Sequence, residues 1–335
     1  MRPLGILDQS PIPEGSTGAD ALRNSVDLAR LGESLGYYRY WVAEHHGTPM
    51  LAGAAPEILI AEIAAATERI RVGSAGIMLP HYSPLKVAET FSILCGFHPG
   101  RIDLGVGRAP GTDPRTMFAL QRDRRAGSPD DFPEQFAELL AYLEDDFPDK
   151  HPFARLAALP GGDERPDVWL LGSSQQSAVW AAELGLPYSF ADFINPAGAE
   201  LAQLYRERFR PSRRREKPHV GVTVSVVCAE TDEEARRLAS SQRMAIALLR
   251  AGRSIAVPSV ERALEFLAGN DEITPGRRLI AGSPARVVDE LEEVADAYEA
   301  DEVMAVTIVY DHEARRRSYE LLAEAASLVR YELSA

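Results

Sequence analysis

Cysteine is nearly absent: two in 335 residues, Cys95 and Cys228, can build neither a disulfide framework nor a four-thiolate zinc site, so a reducing, cytoplasmic setting is expected. Lysine is as scarce, with only Lys86, Lys150 and Lys217 among 36 basic residues. That bias reads as composition rather than function. Positive charge is in deficit overall. The 36 basic residues against 50 acidic ones give a net charge of −14, which speaks against nucleic acid as a partner, because neutralising phosphates takes a basic surface. No run reaches the roughly 18 apolar residues of a membrane span. The segment Met1 to Asp8 has too short an apolar run for a secretory signal. Also missing are a Walker A sequence and a Gly-x-Ser-x-Gly elbow, which lowers nucleotidase and hydrolase readings. No linker or low-complexity tract divides the chain, so residues 1–335 read as a single domain with a small-molecule substrate.

What is present is a repeating alternation. Hydrophobic residues make up 45% of the chain and charged ones 26%, enough for a large core. Short apolar runs at Leu4 to Leu7, Arg39 to Ala43, Ile70 to Leu79, Ile102 to Val106, Val168 to Leu171, Tyr188 to Ala191, Val220 to Cys228 and Val303 to Tyr310 read as strands. Stretches with helical spacing separate most of them, such as Ala21 to Leu35 and Thr231 to Leu249. Eight strands alternating with helices favour an α/β fold of the (β/α)8 TIM-barrel type over a doubly wound sheet. Two stretches break the repeat and are expected as insertions. Ala109 to Pro129 follows strand 4, and Ala251 to Leu279 follows helix 7 and is expected to act as a mobile lid.

In such a barrel the chemistry sits at the C-terminal strand ends. Those ends read Asp8-Gln9-Ser10, Glu44-His45-His46, Ser74-Ala75-Gly76, Gly107-Arg108-Ala109 and Gly172-Ser173-Ser174. Adjacent strand residues point to opposite faces, so Glu44-His45-His46 is a poor chelate. No metal is expected, and an imidazole that touches ligand is preferred over a merely hydrogen-bonded one. Leu104 to Gly111 carries Gly-x-Gly-x-x-x-Gly with Pro110 where a helix should open, a poor dinucleotide turn. Arg108 among those glycines could grip a phosphate in a bidentate manner. Gly172 to Ser177 leaves a strand and opens a helix, which suits either a phosphate cradle or an ordinary serine cap.

Taken together, Arg39 to His46, Arg71 to Pro80 and Gly100 to Arg108 resemble the Trp-Leu-x-Glu-His-His, Val-Gly-Thr-Ala-Ala-Ile-Val-Leu-Pro and Gly-Arg-Phe-Arg-Phe-Gly-Ile-Cys-Arg motifs of the bacterial luciferase-like, flavin-dependent monooxygenase family. Further likeness runs through Ser173 to Pro187 and Gly282 to Pro284, so the resemblance spans almost the whole chain. It implies a barrel that takes reduced FMN from a separate NAD(P)H:flavin reductase and forms a C4a-hydroperoxyflavin with dioxygen to oxygenate a small organic substrate. By position, it assigns the phosphate to Arg108, Ser173, Ser174 and Ser177, with Gly107 and Gly172 beside them. It places Ser74, Ala75 and Gly76 along the isoalloxazine ring, Ala75 and Gly76 being joined by a non-prolyl cis peptide. It makes His45 the acid/base group. The family's reactive cysteine is Gly107 here, so light emission is not implied. Two other readings stand beside this one: an F420-dependent hydride-transfer oxidoreductase and a non-catalytic flavin-binding barrel. A homodimer is expected.

Overall fold

The computed structural model describes residues 2–108, 113–120, 131–154, 156, 158–270 and 277–329. The strands are β1 (Leu4–Asp8), β2 (Arg39–Val42), β3 (Arg71–Met78), β4 (Ile102–Gly107), β5 (Asp167–Gly172), β6 (Tyr188–Ala191), β7 (Val220–Cys228), β8 (Ile280–Gly282) and β9 (Glu302–Val306). All pairings among these strands are parallel. The sheet runs β1 to β7 in order and closes through β7–β9 and β9–β1, with Val222 beside Val303 and Ile6 beside Ala305. Eight strands thus form a (β/α)8 barrel, as the alternation predicts. The three-residue β8 lies outside the ring, pairing with the far end of β7 at Val226 to Cys228.

Helices α1 (Gly18–Leu35), α2 (Pro56–Ala65), α3 (Pro84–Phe97), α4 (Pro114–Leu120), α5 (Phe132–Glu144), α6 (Gln175–Glu183), α7 (Ala199–Arg208), α8 (Asp232–Arg250), α9 (Val260–Ala268), α10 (Pro284–Ala297) and α11 (His312–Ala325) complete the described elements. Their starts follow local chemistry. Thr17 and Asp20 form a capping box on α1, while Thr231, Ser259 and Asp311 accept the first free N–H groups of α8, α9 and α11. Proline opens α2, α3 and α10, where its missing N–H costs nothing. The main core lies between the strands and this helical layer, and a second cluster of Leu7, Trp41, Trp169, Met304 and Val306 fills the barrel itself.

The N-terminal strand ends are sealed by charge. Arg39 stands over the rings of Trp41 and Trp169, donates to Asp103 Oδ2 at 2.5 Å and has Glu302 Oε2 at 2.7 Å. Asp103 also accepts from Trp41 Nε1 at 2.8 Å and Arg71 Nε at 2.9 Å, and Glu302 meets His219 Nε2 at 2.6 Å. Both cysteines are buried, Cys95 in α3 and Cys228 in β7, and burial pushes each thiol up to about 12.

The second insertion differs from expectation. Over residues 251–270 the anticipated lid is docked structure. Val257 donates to Ile12 O and accepts from Glu14 N, both at 2.8 Å. Val260 and Ala263 of α9 are buried against apolar side chains of α8. An amphipathic nine-residue helix explains the short apolar runs that read as loop. Residues 271–276 of that segment lie outside the described residues. So do 109–112 and 121–130 of the first insertion, whose remainder carries α4.

Candidate active site

The C-terminal strand ends surround a cavity of about 430 Å³, within the range of small-molecule and cofactor pockets. Of the ten site residues expected from sequence, nine line it: His45, Ala75, Gly76, Gly107, Arg108, Gly172, Ser173, Ser174 and Ser177. Ser74 does not. The two-residue strand period turns its side chain outward, where Oγ donates to Gly105 O at 2.8 Å and ties β3 to β4.

At one end stand Arg108 and the start of α6. The Arg108 guanidinium lies 5.5 Å from the Trp180 ring centre, on the helix whose first turn carries the serines. Ser174 caps α6 by accepting from Ser177 N at 3.3 Å. Ser177 is occupied internally, its hydroxyl 2.8 Å from Ser174 O and 3.0 Å from Tyr188 Oη, so it holds the turn. A Cβ at Gly172 would stand 2.3 Å from Ser177 Oγ, and only glycine lets the turn close. Exposed N–H groups, the helix dipole and a guanidinium converge here, an arrangement suited to a phosphate.

The adjoining wall, on β3, is flat. The Ala75–Gly76 peptide is cis, as the resemblance implies, and the β3–β4 register shifts between Ser74 and Ile77. A Cβ on Gly76 would meet Gly105 O and Leu171 Cδ1 at 2.8 Å, so side-chain bulk is excluded at this point.

His45 separates from its neighbours as strand alternation requires. Glu44 is buried outside the cavity and accepts from Met78 N at 2.8 Å and Tyr82 Oη at 2.9 Å, with His46 Nε2 at 2.7 Å. His45 faces the cavity with its backbone N–H donated to Gly53 O at 2.8 Å, and its buried Nδ1 has no hydrogen-bond partner. Burial, reinforced by His46 and Arg277, pushes the imidazole down to about 4. It is therefore neutral near pH 7.

Gln9, at the first of the polar strand ends, lines the cavity too, whereas sequence reading missed Trp41, Met78, Phe132, Trp180, Phe193, Ile194 and Thr223 in the wall. The strand period could have found Trp41, which shares a face with Leu7 and His45. Phe193 and Ile194 sit in a loop with no such signal. Among the described residues no group of three His, Cys, Asp or Glu is placed to hold a metal, and no helix is long and apolar enough to cross a membrane.

A parallel barrel with a phosphate-ready helix end and a neutral histidine across an apolar cavity defines a cofactor-dependent enzyme class. The family model described as luciferase-like monooxygenase matches residues 3–300, and this chain belongs to that family. It is 41% identical over 323 residues to a luciferase-like monooxygenase of Escherichia coli K12, covering 95% of each chain. It is 39% identical over 328 residues to the N-acetyl-S-alkylcysteine monooxygenase of Bacillus subtilis 168, covering 96% of this chain and 97% of that one. Among solved structures, apo-MsnO8 superposes with a TM-score of 0.89 at 42% identity, covering 99% of this chain and all of that one.

Proposed function

We propose that the protein is an FMN-dependent monooxygenase that inserts one oxygen atom of O2 into a small organic substrate, its reduced cofactor arriving from a separate NAD(P)H:flavin reductase. The observation that carries this reading is the pairing of Arg108 and the α6 N-terminus at one end of the cavity with the unpartnered Nδ1 of His45 on its wall. The residues fit a flavin. Arg108, Ser173 and Ser174 would hold the phosphate, with Gly107, Gly172 and Ser177 shaping the space around it. Ala75 and Gly76 would lie against the ring with no side chain to tilt it. Reduced FMN, when bound, supplies the two electrons that let dioxygen deliver one atom to substrate and the other to water.

The protein's own part is orientation, exclusion of water and one proton. Trp41, Leu7, Phe193 and Ile194 give the cavity apolar walls, which strengthen every polar contact inside it. His45 can accept or return a proton at its free Nδ1, because it is uncharged at neutral pH. Mass spectrometry of the ligand released on denaturation, with absorbance spectra recorded as the FMN-reduced protein meets oxygen, tests the reading. FMN released from the fold, and an absorbance transient that lasts longer than in free FMN, are expected. Release of F420 would point to hydride transfer instead, and FMN without an oxygen-dependent transient would point to a binding barrel.

A further inference from the structure

We propose that Arg277 is the substrate-recognising residue of this site and that it reads a carboxylate on the substrate, an inference that rests on the oxygenase reading above. The chain carries a net charge of −14, yet among the described residues no aspartate or glutamate lines the cavity, and Arg108 is the charged side chain that does.

Arg277 takes its place from its neighbour. Arg278 Nε donates to Asp192 Oδ2 at 2.8 Å, and buried Asp192 accepts from Tyr298 Oη at 2.9 Å. Asp192 directly precedes Phe193 and Ile194 of the cavity wall, which fixes residue 278 beside that wall. Thr48 Oγ1 and Ser254 Oγ, 2.8 Å apart, bring the loop that carries His45 against the chain leaving α8. Arg277 thus adjoins a residue clamped beside that wall, and it is close enough to His45 for its charge to oppose protonation of the imidazole.

The guanidinium is half-buried, and among the described residues no carboxylate pairs with it and no group accepts a hydrogen bond from it. Burial and the like charge of Arg250 act on it, and both disfavour its charged form. Arg39, Arg278 and Arg315, by contrast, each have a carboxylate oxygen at 2.5–2.8 Å, and half-buried Arg101 donates to backbone carbonyls of Ala64, Thr67 and Ile70. A cation shielded from water without a counter-ion is costly, and a bound anion offsets that cost. One planar guanidinium matches a carboxylate as a bidentate pair. A cofactor phosphate would already be served by Arg108 and the start of α6.

Calorimetric titration decides the matter with three acids, N-acetyl-S-ethylcysteine, N-acetylphenylalanine and octanoate, each beside its methyl ester, with and without FMN. At least one acid is expected to bind wild type roughly ten- to a hundredfold more tightly than its ester, the range for a hydrogen bond to a charged group. R277Q should remove that preference by weakening the acid alone, and R277K should keep part of it. Independently, the NMR titration midpoint of His45 should rise from about 4 in R277Q by a small step, because burial and His46 keep the larger share of the depression. Equal binding of acid and ester, no acid bound, an unchanged acid affinity in R277Q or an unmoved His45 midpoint each overturns the proposal. Wild type that takes up no FMN would sink the oxygenase reading instead, while the flavin-free titrations still decide Arg277.

Discussion

Arg39 and His45 belong to one stretch of chain, six residues apart, and their surroundings are opposite. Arg39, at the floor of the barrel, is held by Asp103 and Glu302 between two tryptophans, and the charges around it are paired in turn by Arg71 and His219. His45, at the mouth, has a buried nitrogen with no partner. The floor spends its polar groups on one another, so it is committed to stability. The mouth leaves polar capacity open within reach of a ligand. A barrel can vary its loops over a fixed base because these two tasks are kept at opposite ends of the same strands.

The comparison breaks most readily at the floor. Asp103→Ala removes the shared partner of Arg39, Arg71 and Trp41, and a loss of about 3–5 kcal/mol is expected in urea unfolding, the scale for a buried ion pair that loses one member. A loss below about 1 kcal/mol would show that Glu302 alone satisfies Arg39. At the mouth, His45→Ala should do the reverse. Stability and FMN affinity stay within about 1 kcal/mol of wild type, while substrate oxygenation falls roughly a hundredfold and hydrogen peroxide appears in its place. Product formed in unchanged ratio to oxygen consumed would make His45 a structural residue.

Arg108→Ala sharpens the assignment of the phosphate end. FMN should bind about 1.5–3 kcal/mol more weakly by fluorescence titration, while riboflavin, lacking the phosphate, should be nearly unaffected. Equal losses for the two flavins would remove Arg108 from the phosphate site. The smallest effect is on the pH dependence of stability. His45 is held at about 4 in the fold against 6.5 when unfolded, so the unfolded chain takes its proton first as pH falls. The associated stability is complete above 6.5 and drains away between 6.5 and 4. His45→Gln should flatten that slope by on the order of 1 kcal/mol, discounted for the partial solvent access of the ring. Superimposable pH–stability curves would mean that the folded ring titrates normally.

Strand periodicity was enough to read the eight-stranded ring, and strand ends together with the family resemblance placed nine of the ten expected site residues in the wall, because these signals are local. Ser74 was misplaced although the same period argues against it: residues 73 and 75 face inward, so 74 faces out. Strand β8 is three residues long and leaves no periodic trace. Helix α9 was read as lid because its docking surface on α8 is distant in sequence from anything that marks it. Phe193 and Ile194 reach the cavity from a loop, where position is set by tertiary contacts such as Arg278 with Asp192. Those contacts have no spacing to read.

The sulfur atoms of the chain divide along the same line. Thiol oxidation proceeds through the thiolate, so Cys95 and Cys228, sealed away and protonated, are poor targets for peroxide. A thioether needs no deprotonation, and Met78 is the cavity-wall residue that carries one. Every turnover that fails to reach substrate would release its oxidant beside that side chain. Peptide mass spectrometry of protein worked without substrate should find sulfoxide at Met78 ahead of the buried Met50, Met244 and Met304. The wall would then keep a chemical record of its own misfires.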